Sequence, residues 1–333
     1  MASKRQVFLN CNKDGVTPVS TAIYSLLKAA EPSHPLTIFL AHDTAFEQRG
    51  GTKTVRSVVA RFPFASVRFA NFDPLLEQHR ETLTAPKMKW PLMVWAWCFA
   101  TELFPDVTGN LVFIDWDMYV LKDLEDLYGL DLEKDGFITA AVDESRREHR
   151  PYLVSAGWSE KAGYAVNTGT QVINTDAYRR ERILEKILAW YAKYKDVSLC
   201  VEQDAINAVA GERIRRLHIK YNFTVGWCDR IPKCNFLRKE LRVYPTQDVF
   251  GAVVDPTILH FIGHKKPWFW NHRAFRNVYR RALEELGLFD ERTFGETTLR
   301  RLVGVFFDCY HLMIRGYALI ILSTFLRSRK QSA

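Results

Sequence analysis

Asp115-Trp116-Asp117 follows directly on the apolar run Leu111-Val112-Phe113-Ile114. Two carboxylates one residue apart, at the end of a buried-type strand, do little to stabilise a fold. An acid at the lip of a core is costly unless its charge is compensated. A divalent cation, which takes hard oxygen ligands, is the natural compensator. The alternative is an ordinary strand end with solvated acids. What else the chain supplies decides between the two.

Four further segments carry chemistry. Asn167-Thr168-Gly169 opens a strand-like run that ends at Asn174, and its glycine permits close backbone approach to a ligand. Glu202-Gln203-Asp204 stands at a helix start, where acids suit the helix dipole. The dipole does not account for Gln203, whose amide could hydrogen-bond a hydroxyl-rich ligand. In His260-Phe261-Ile262-Gly263-His264-Lys265-Lys266-Pro267-Trp268, His260 is either a core histidine or, with the two acids, part of an Asp/Asp/His set suited to Mn2+. Gly263 and Lys266 suit a phosphate, one by close approach and the other as a point charge. Asp143 closes the apolar run Phe137–Val142, either as a site acid or as a solvated turn residue.

These residues need elements to position them. Residues 6–11, 36–41, 67–70, 111–114, 136–142, 169–174 and 258–262 read as strands. Residues 16–30, 52–60, 90–104, 176–194, 202–209 and 272–287 read as helices, with Asp176 and Gly287 as caps. Such alternation implies βαβ units and a mostly parallel sheet. Ligands of these sheets bind beyond the carboxyl ends of the strands, where Asn12 and Asp115 both fall.

The 333 residues are 47% hydrophobic and 25% charged, which fits a globular domain. Net charge is +8, yet no nucleic-acid module is legible. From Thr297 to Lys330, Arg300, Arg301, Arg315, Arg327, Arg329 and Lys330 face only Asp308, so this stretch holds +5 of the excess. Its longest charge-free run, Gly316–Leu326, is shorter than the roughly 20 residues of a bilayer span. A basic, apolar, aromatic helix of this kind suits a membrane surface; a helix packed on the domain is the alternative. The division expected is 1–290 as one catalytic domain and 291–333 as a basic amphipathic helical tail. The six cysteines are scattered without metal spacing and are read as reduced. Met1-Ala-Ser-Lys-Arg leads straight into strand-like residues. The expected location is the cytoplasm, peripheral on the cytoplasmic face of the inner membrane.

Taken together, the motifs describe a site for a metal, a diphosphate and a polar substrate. The chain resembles glycosyltransferase family 8, the retaining transferases that include lipooligosaccharide galactosyl- and glucosyltransferases. The resemblance rests on Tyr24-Ser25-Leu26-Leu27, Asp115-Trp116-Asp117, Ala140-Ala141-Val142-Asp143, Asn167–Asn174, Gln203-Asp204-Ala205-Ile206-Asn207 and His260–Trp268, in the family's order from about residue 6 to 270. It implies a GT-A, Rossmann-like α/β fold and a UDP-galactose or UDP-glucose donor. It implies Mn2+, with Mg2+ as the alternative, held by Asp115, Asp117 and His260. Gly263 and Lys266 would contact the diphosphate, and Asn12 would lie near uracil. Asp143, Asn167 and Gln203 would line the sugar and reaction centre, with Gln203 and Asp143 as the catalytic candidates. The acceptor would be a glycan or glycolipid such as a lipopolysaccharide core.

Two departures stand out. The family's Asp-Asp-Asn-Tyr type run reads Asn12-Lys13-Asp14-Gly15 here, and the position of a donor-contacting Arg holds Trp97. A catalytically decayed nucleotide-sugar or glycan-binding protein is therefore the alternative function. A metal-dependent hydrolase or nucleotidyltransferase is a third reading.

Overall fold

The computed structural model describes residues 4–85, 91–143, 154–158, 165–225, 244–263, 266–268 and 275–290, with 312–313, 315–316 and 318–320 of the tail. Its elements in chain order are β1 (Arg5–Cys11), α1 (Val16–Ala29), β2 (Leu36–His42), α2 (Thr44–Gln48), α3 (Gly51–Val59), β3 (Ala65–Asn71) and α4 (Asp73–Leu83). A 3-10 helix (Leu92–Phe99) then leads into α5 (Ala100–Leu103), β4 (Asn110–Ile114), β5 (Met118–Val120), α6 (Glu125–Tyr128) and β6 (Thr139–Asp143). There follow β7 (Val166–Asn174), α7 (Thr175–Arg180), α8 (Ile183–Tyr194), α9 (Val201–Ala210), β8 (Ile214–Leu217), β9 (Phe223–Thr224), α10 (Thr246–Val254), β10 (Ile258–His260) and α11 (Arg276–Leu286).

The chain forms two compact units. One is built on a seven-stranded sheet ordered β3-β2-β1-β4-β7-β6-β8. Val7, Phe8 and Leu9 of β1 and Leu111, Val112 and Ile114 of β4 are wholly buried, as strands covered on both faces must be. The sheet is mixed rather than purely parallel: β7 runs antiparallel to both β4 and β6. That reversal has a functional consequence. It carries the start of β7, and with it Asn167, to the same edge where β4 and β6 end in Asp115 and Asp143. Pairing jumps from Ala141–Gln171 to Val142–Asn167, a bulge that redirects the β7 side chains at that edge. The second unit contains a three-stranded sheet in which β10 pairs antiparallel with β5 and parallel with β9.

Two helices differ from expectation. The apolar stretch read as one helix over 90–104 is a 3-10 helix followed by a single α turn. Met93 and Trp95–Phe99 are all buried, so packing on every side sets the backbone where an amphipathic stripe would have favoured a regular α-helix. The helix read over 176–194 is two helices, and its cap is Asn174, whose side chain accepts from the Ala177 N–H at 3.0 Å. Asp176 instead accepts from the Gly109 N–H at 2.9 Å. The predicted Gly287 cap closes α11 at φ 70°, a conformation that favours glycine.

Candidate active site

Asp115 follows β4 directly, with its N–H bonded to the Gly169 carbonyl at 2.9 Å, which ties the acid to the start of β7. Two residues on, Asp117 opens the chain into β5. Its carbonyl accepts from the Phe261 N–H at 3.0 Å, just past the end of β10. Among the described residues Asp115, Asp117 and His260 form a group whose ligand atoms lie within 4.8 Å of one another. Asp117 and His260 are buried and Asp115 half-buried.

The donor set fits a divalent ion. His260 Nδ1 lies 2.7 Å from Oδ1 of Asn222, an acceptor, so Nδ1 carries the proton and donates. Nε2 then faces Oδ1 of Asp117 at 3.3 Å. Two lone-pair atoms at that distance need a proton or a cation between them. An orienting partner on the far nitrogen is the usual support of a metal-ligating histidine. Lys266 Nζ contacts the other oxygen of Asp117 and donates to the Phe261 carbonyl at 2.9 Å. Burial pushes the Asp117 pKa up, but Lys266 and then His260 outweigh it and hold the carboxyl well below the usual carboxylate range. Gly263 has φ 90°, open only to glycine without strain, which explains its place in the loop before Lys266. Trp268, two residues after Lys266, packs on Tyr279 of α11 at 5.9 Å between ring centroids.

The second cluster joins β7 to α9. Oε1 of Gln203 accepts from Asn167 Nδ2 at 3.0 Å and from the Thr168 N–H at 3.3 Å. Asn207, one turn along α9, bonds both the N–H and the carbonyl of Val166. The acids flanking Gln203 do different work. Asp204 Oδ2 accepts from Ser198 Oγ, the Leu199 N–H and the Cys200 N–H at 2.7–2.9 Å, so it caps the turn before the helix. Glu202 is buried, and its Oε2 has no hydrogen-bond partner among the described residues. Just before it, Val201 has φ 38°, a costly backbone for a β-branched residue and one that clusters at functional sites.

Burial, and then the nearby charges of Asp115 and Asp204, raise the Glu202 pKa well above the ordinary carboxylate value. The sign of the linkage follows. The folded chain keeps a proton that the unfolded chain releases, so this group's contribution to stability falls as pH rises above about 4.3. Glu202→Gln should leave melting unchanged near pH 4 in a chelator. At pH 8 it should raise Tm, by roughly 2–4 °C per kcal/mol relieved. A gain that is the same at both pH values would contradict this, and paired thermal melts decide it.

Asn12 sits in the turn after β1, its carbonyl accepting from the Gly15 N–H at 2.8 Å and its side chain from the Asp14 N–H at 3.0 Å. Asp143 closes β6 opposite Val166, and its side chain lies outside the described residues. Trp97 is a core residue, buried against Phe113. Among the described residues, Cys11, Cys98 and Cys200 are in no disulfide. Sequence reasoning missed Asn222, Asn207 and the special standing of Glu202. Asn222 lies in Lys-Tyr-Asn-Phe-Thr, which carries no signal of its own.

A sheet of this topology, with an Asp-x-Asp tripeptide at its carboxyl edge and a histidine beside it, defines a GT-A type α/β fold. The family model "Glycosyl transferase family 8" matches residues 6–272, and the chain belongs to that family. General stress protein A of Bacillus subtilis (strain 168) is 26% identical over 173 residues, 51% of this chain and 57% of that protein. Glycosyltransferase GlyE of Streptococcus pneumoniae serotype 4 is 26% identical over 174 residues, 51% of this chain and 36% of that protein. The chain thus spans about half or less of the length of the curated relatives it matches. The crystal structure of the galactosyltransferase LgtC with donor and acceptor sugar analogues superposes with a TM-score of 0.67 at 18% identity, over 87% of this chain and 99% of that one. That likeness speaks to the fold.

Proposed function

We propose that the chain is a retaining, metal-dependent glycosyltransferase. It moves galactose or glucose from a UDP-sugar to a glycan or glycolipid such as a lipopolysaccharide core. The observation that carries this reading is the Asp115, Asp117 and His260 group, with Nε2 of His260 turned on Asp117 by Asn222. Asp115, Asp117 and His260 would hold Mn2+ or Mg2+. The bound ion would supply Lewis-acid stabilisation of the departing diphosphate.

Lys266 adds a fixed positive charge for the charge that develops on the leaving group. Gly263 lets the loop backbone approach the diphosphate, and Asn12 lies against the base. Asn167, Asp143 and Gln203 line the sugar. In the transfer, the acceptor hydroxyl oxygen bonds to the anomeric carbon while the bond from that carbon to the diphosphate oxygen breaks. The hydroxyl proton passes to the leaving diphosphate on the same face, so configuration is kept. A covalent route needs a carboxylate beneath the anomeric carbon. Against it, the Gln203 carbonyl is a weak nucleophile already engaged by two donors, and Asp204 is committed to its cap. A trapped glycosyl adduct on Asp143, Glu202 or Asp204 would overturn the same-face path.

The test of the transfer itself uses extracted glycolipid acceptors and UDP-galactose or UDP-glucose. The product should gain one hexose with the donor's anomeric configuration. A binding protein with a decayed site would show donor affinity and no product.

The tail is proposed to lie on the cytoplasmic face of an anionic membrane. No helix among the described residues is long and apolar enough to cross a bilayer. All seven described tail residues are helical; Leu312, Met313, Leu319 and Ile320 are exposed and Ala318 is buried. Arg315 donates to the Val254 carbonyl at 2.7 Å at the end of α10. Leu312→Glu with Ile320→Glu should cut sedimentation with anionic vesicles at least about tenfold, and unchanged sedimentation would remove the tail from the account.

A further inference from the structure

Gly15 is buried at the start of α1, where its carbonyl accepts the Val19 N–H at 2.9 Å. A Cβ placed on it would lie 2.3 Å from Cε3 and from Cζ3 of Trp116, and 2.8 Å from Cβ of Cys11. The indole of Trp116 therefore occupies the space that any side chain at position 15 would need. Trp116 is the residue between the two acids and is only half-buried. The turn beneath it is itself braced. The Lys13 N–H donates to Asp43 Oδ2 at 3.1 Å, and Arg49 donates to the Lys13 carbonyl at 3.2 Å and to Asp14 Oδ1 at 3.1 Å. Backbone bonds hold Asp115 to Gly169 and Asp117 to Phe261 on either side of Trp116.

We infer that Gly15 and Trp116 are a matched pair of positioning residues: the missing side chain at 15 is the seat of the indole, and the seated indole sets the aim of the two acids beside it. The inference rests on the reading of Asp115, Asp117 and His260 as metal ligands. A methyl group at 15 must push the ring outward, because the remaining near atom, Cβ of Cys11, is fixed to the backbone of β1. The ring is rigid, so the push is passed to the Trp116 Cα and to the carboxylates on either side. Displacing groups that orient a metal's ligands typically costs 10–100-fold in affinity.

The experiment is a titration of free Mn2+, followed by its paramagnetic resonance, against the whole chain. The proteins are the wild type, Gly15→Ala, Trp116→Val, the Gly15→Ala/Trp116→Val double variant and Asp117→Asn. Melting curves are recorded in parallel. Gly15→Ala should bind Mn2+ on the order of tenfold more weakly than the wild type. The double variant loses both ring contacts and keeps only the 2.8 Å approach to Cβ of Cys11, so it should bind close to Trp116→Val, and the two changes are non-additive. If Gly15→Ala does not fold, the double variant and Trp116→Val still make the comparison. Wild-type affinity in Gly15→Ala, or strict additivity in the double variant, overturns the pairing. Mn2+ bound by Asp117→Asn as tightly as by the wild type overturns the metal-site reading, and the pairing with it.

Discussion

Asp117→Asn should abolish Mn2+-dependent turnover, lowering kcat/KM by at least about 10^3-fold, or roughly 4 kcal/mol of transition-state stabilisation. Asp117 is the buried member of the acid pair, and three features converge on it: Nε2 of His260, the ammonium of Lys266 and the backbone N–H of Phe261. The substitution keeps the shape and replaces one ligating oxygen's charge with an amide. The fold should survive, because Lys266 retains the Phe261 carbonyl and is still 23% exposed to water. The His260–Asn222 bond is untouched. Turnover is read as UDP release and the fold as the melting temperature. Full activity in Asp117→Asn would remove the acid from the site, whereas loss of activity together with loss of folding would make it structural.

Lys266→Met should lower kcat/KM by about 10^2- to 10^3-fold, the usual range for removing one group aimed at developing charge. Methionine keeps most of the stem and none of the charge. The split between constants carries the information. If Lys266 stabilises the departing diphosphate, kcat falls. If it only docks the donor, KM for the UDP-sugar rises and kcat holds. The prediction is a fall in kcat, measured at saturating Mn2+ so that any change in metal affinity through Asp117 does not enter. A rise in KM alone would confine Lys266 to donor docking.

The residues that announce themselves in the sequence are those whose chemistry conflicts with their position. Asp115 and Asp117 are acids at the end of an apolar strand, and Lys266 is a cation in a loop between an apolar strand and Trp268. Gln203 stands out among helix-start acids because the helix dipole has no use for it. The strands and the first helices are legible because apolar runs between turn residues have few other uses. Illegible parts depend on packing or on distant partners. The 3-10 backbone of Leu92–Phe99 follows from burial on every side, which composition cannot distinguish from an α-helix. The reversal of β7 is a pairing choice, made by partners rather than by its own residues. Asn222 gains its role only because β9 runs beside β10 and brings it to His260. Asp204 and Glu202 look alike in the chain, and only the backbone around residues 198–200 makes one a cap, while Oε2 of the other has no partner among the described residues. Trp97 stands at the position of an expected donor contact and is a core residue.

The central claim is that the acids at the end of β4, with His260, support metal-dependent cleavage of a UDP-sugar. Its most direct test measures UDP released from a panel of UDP-sugars, with Mn2+ and with chelator, in the presence of acceptor. Release from UDP-galactose or UDP-glucose should require the metal and disappear in Asp117→Asn. Release that persists in chelator, or products that are UMP or pyrophosphate instead of UDP, would contradict it.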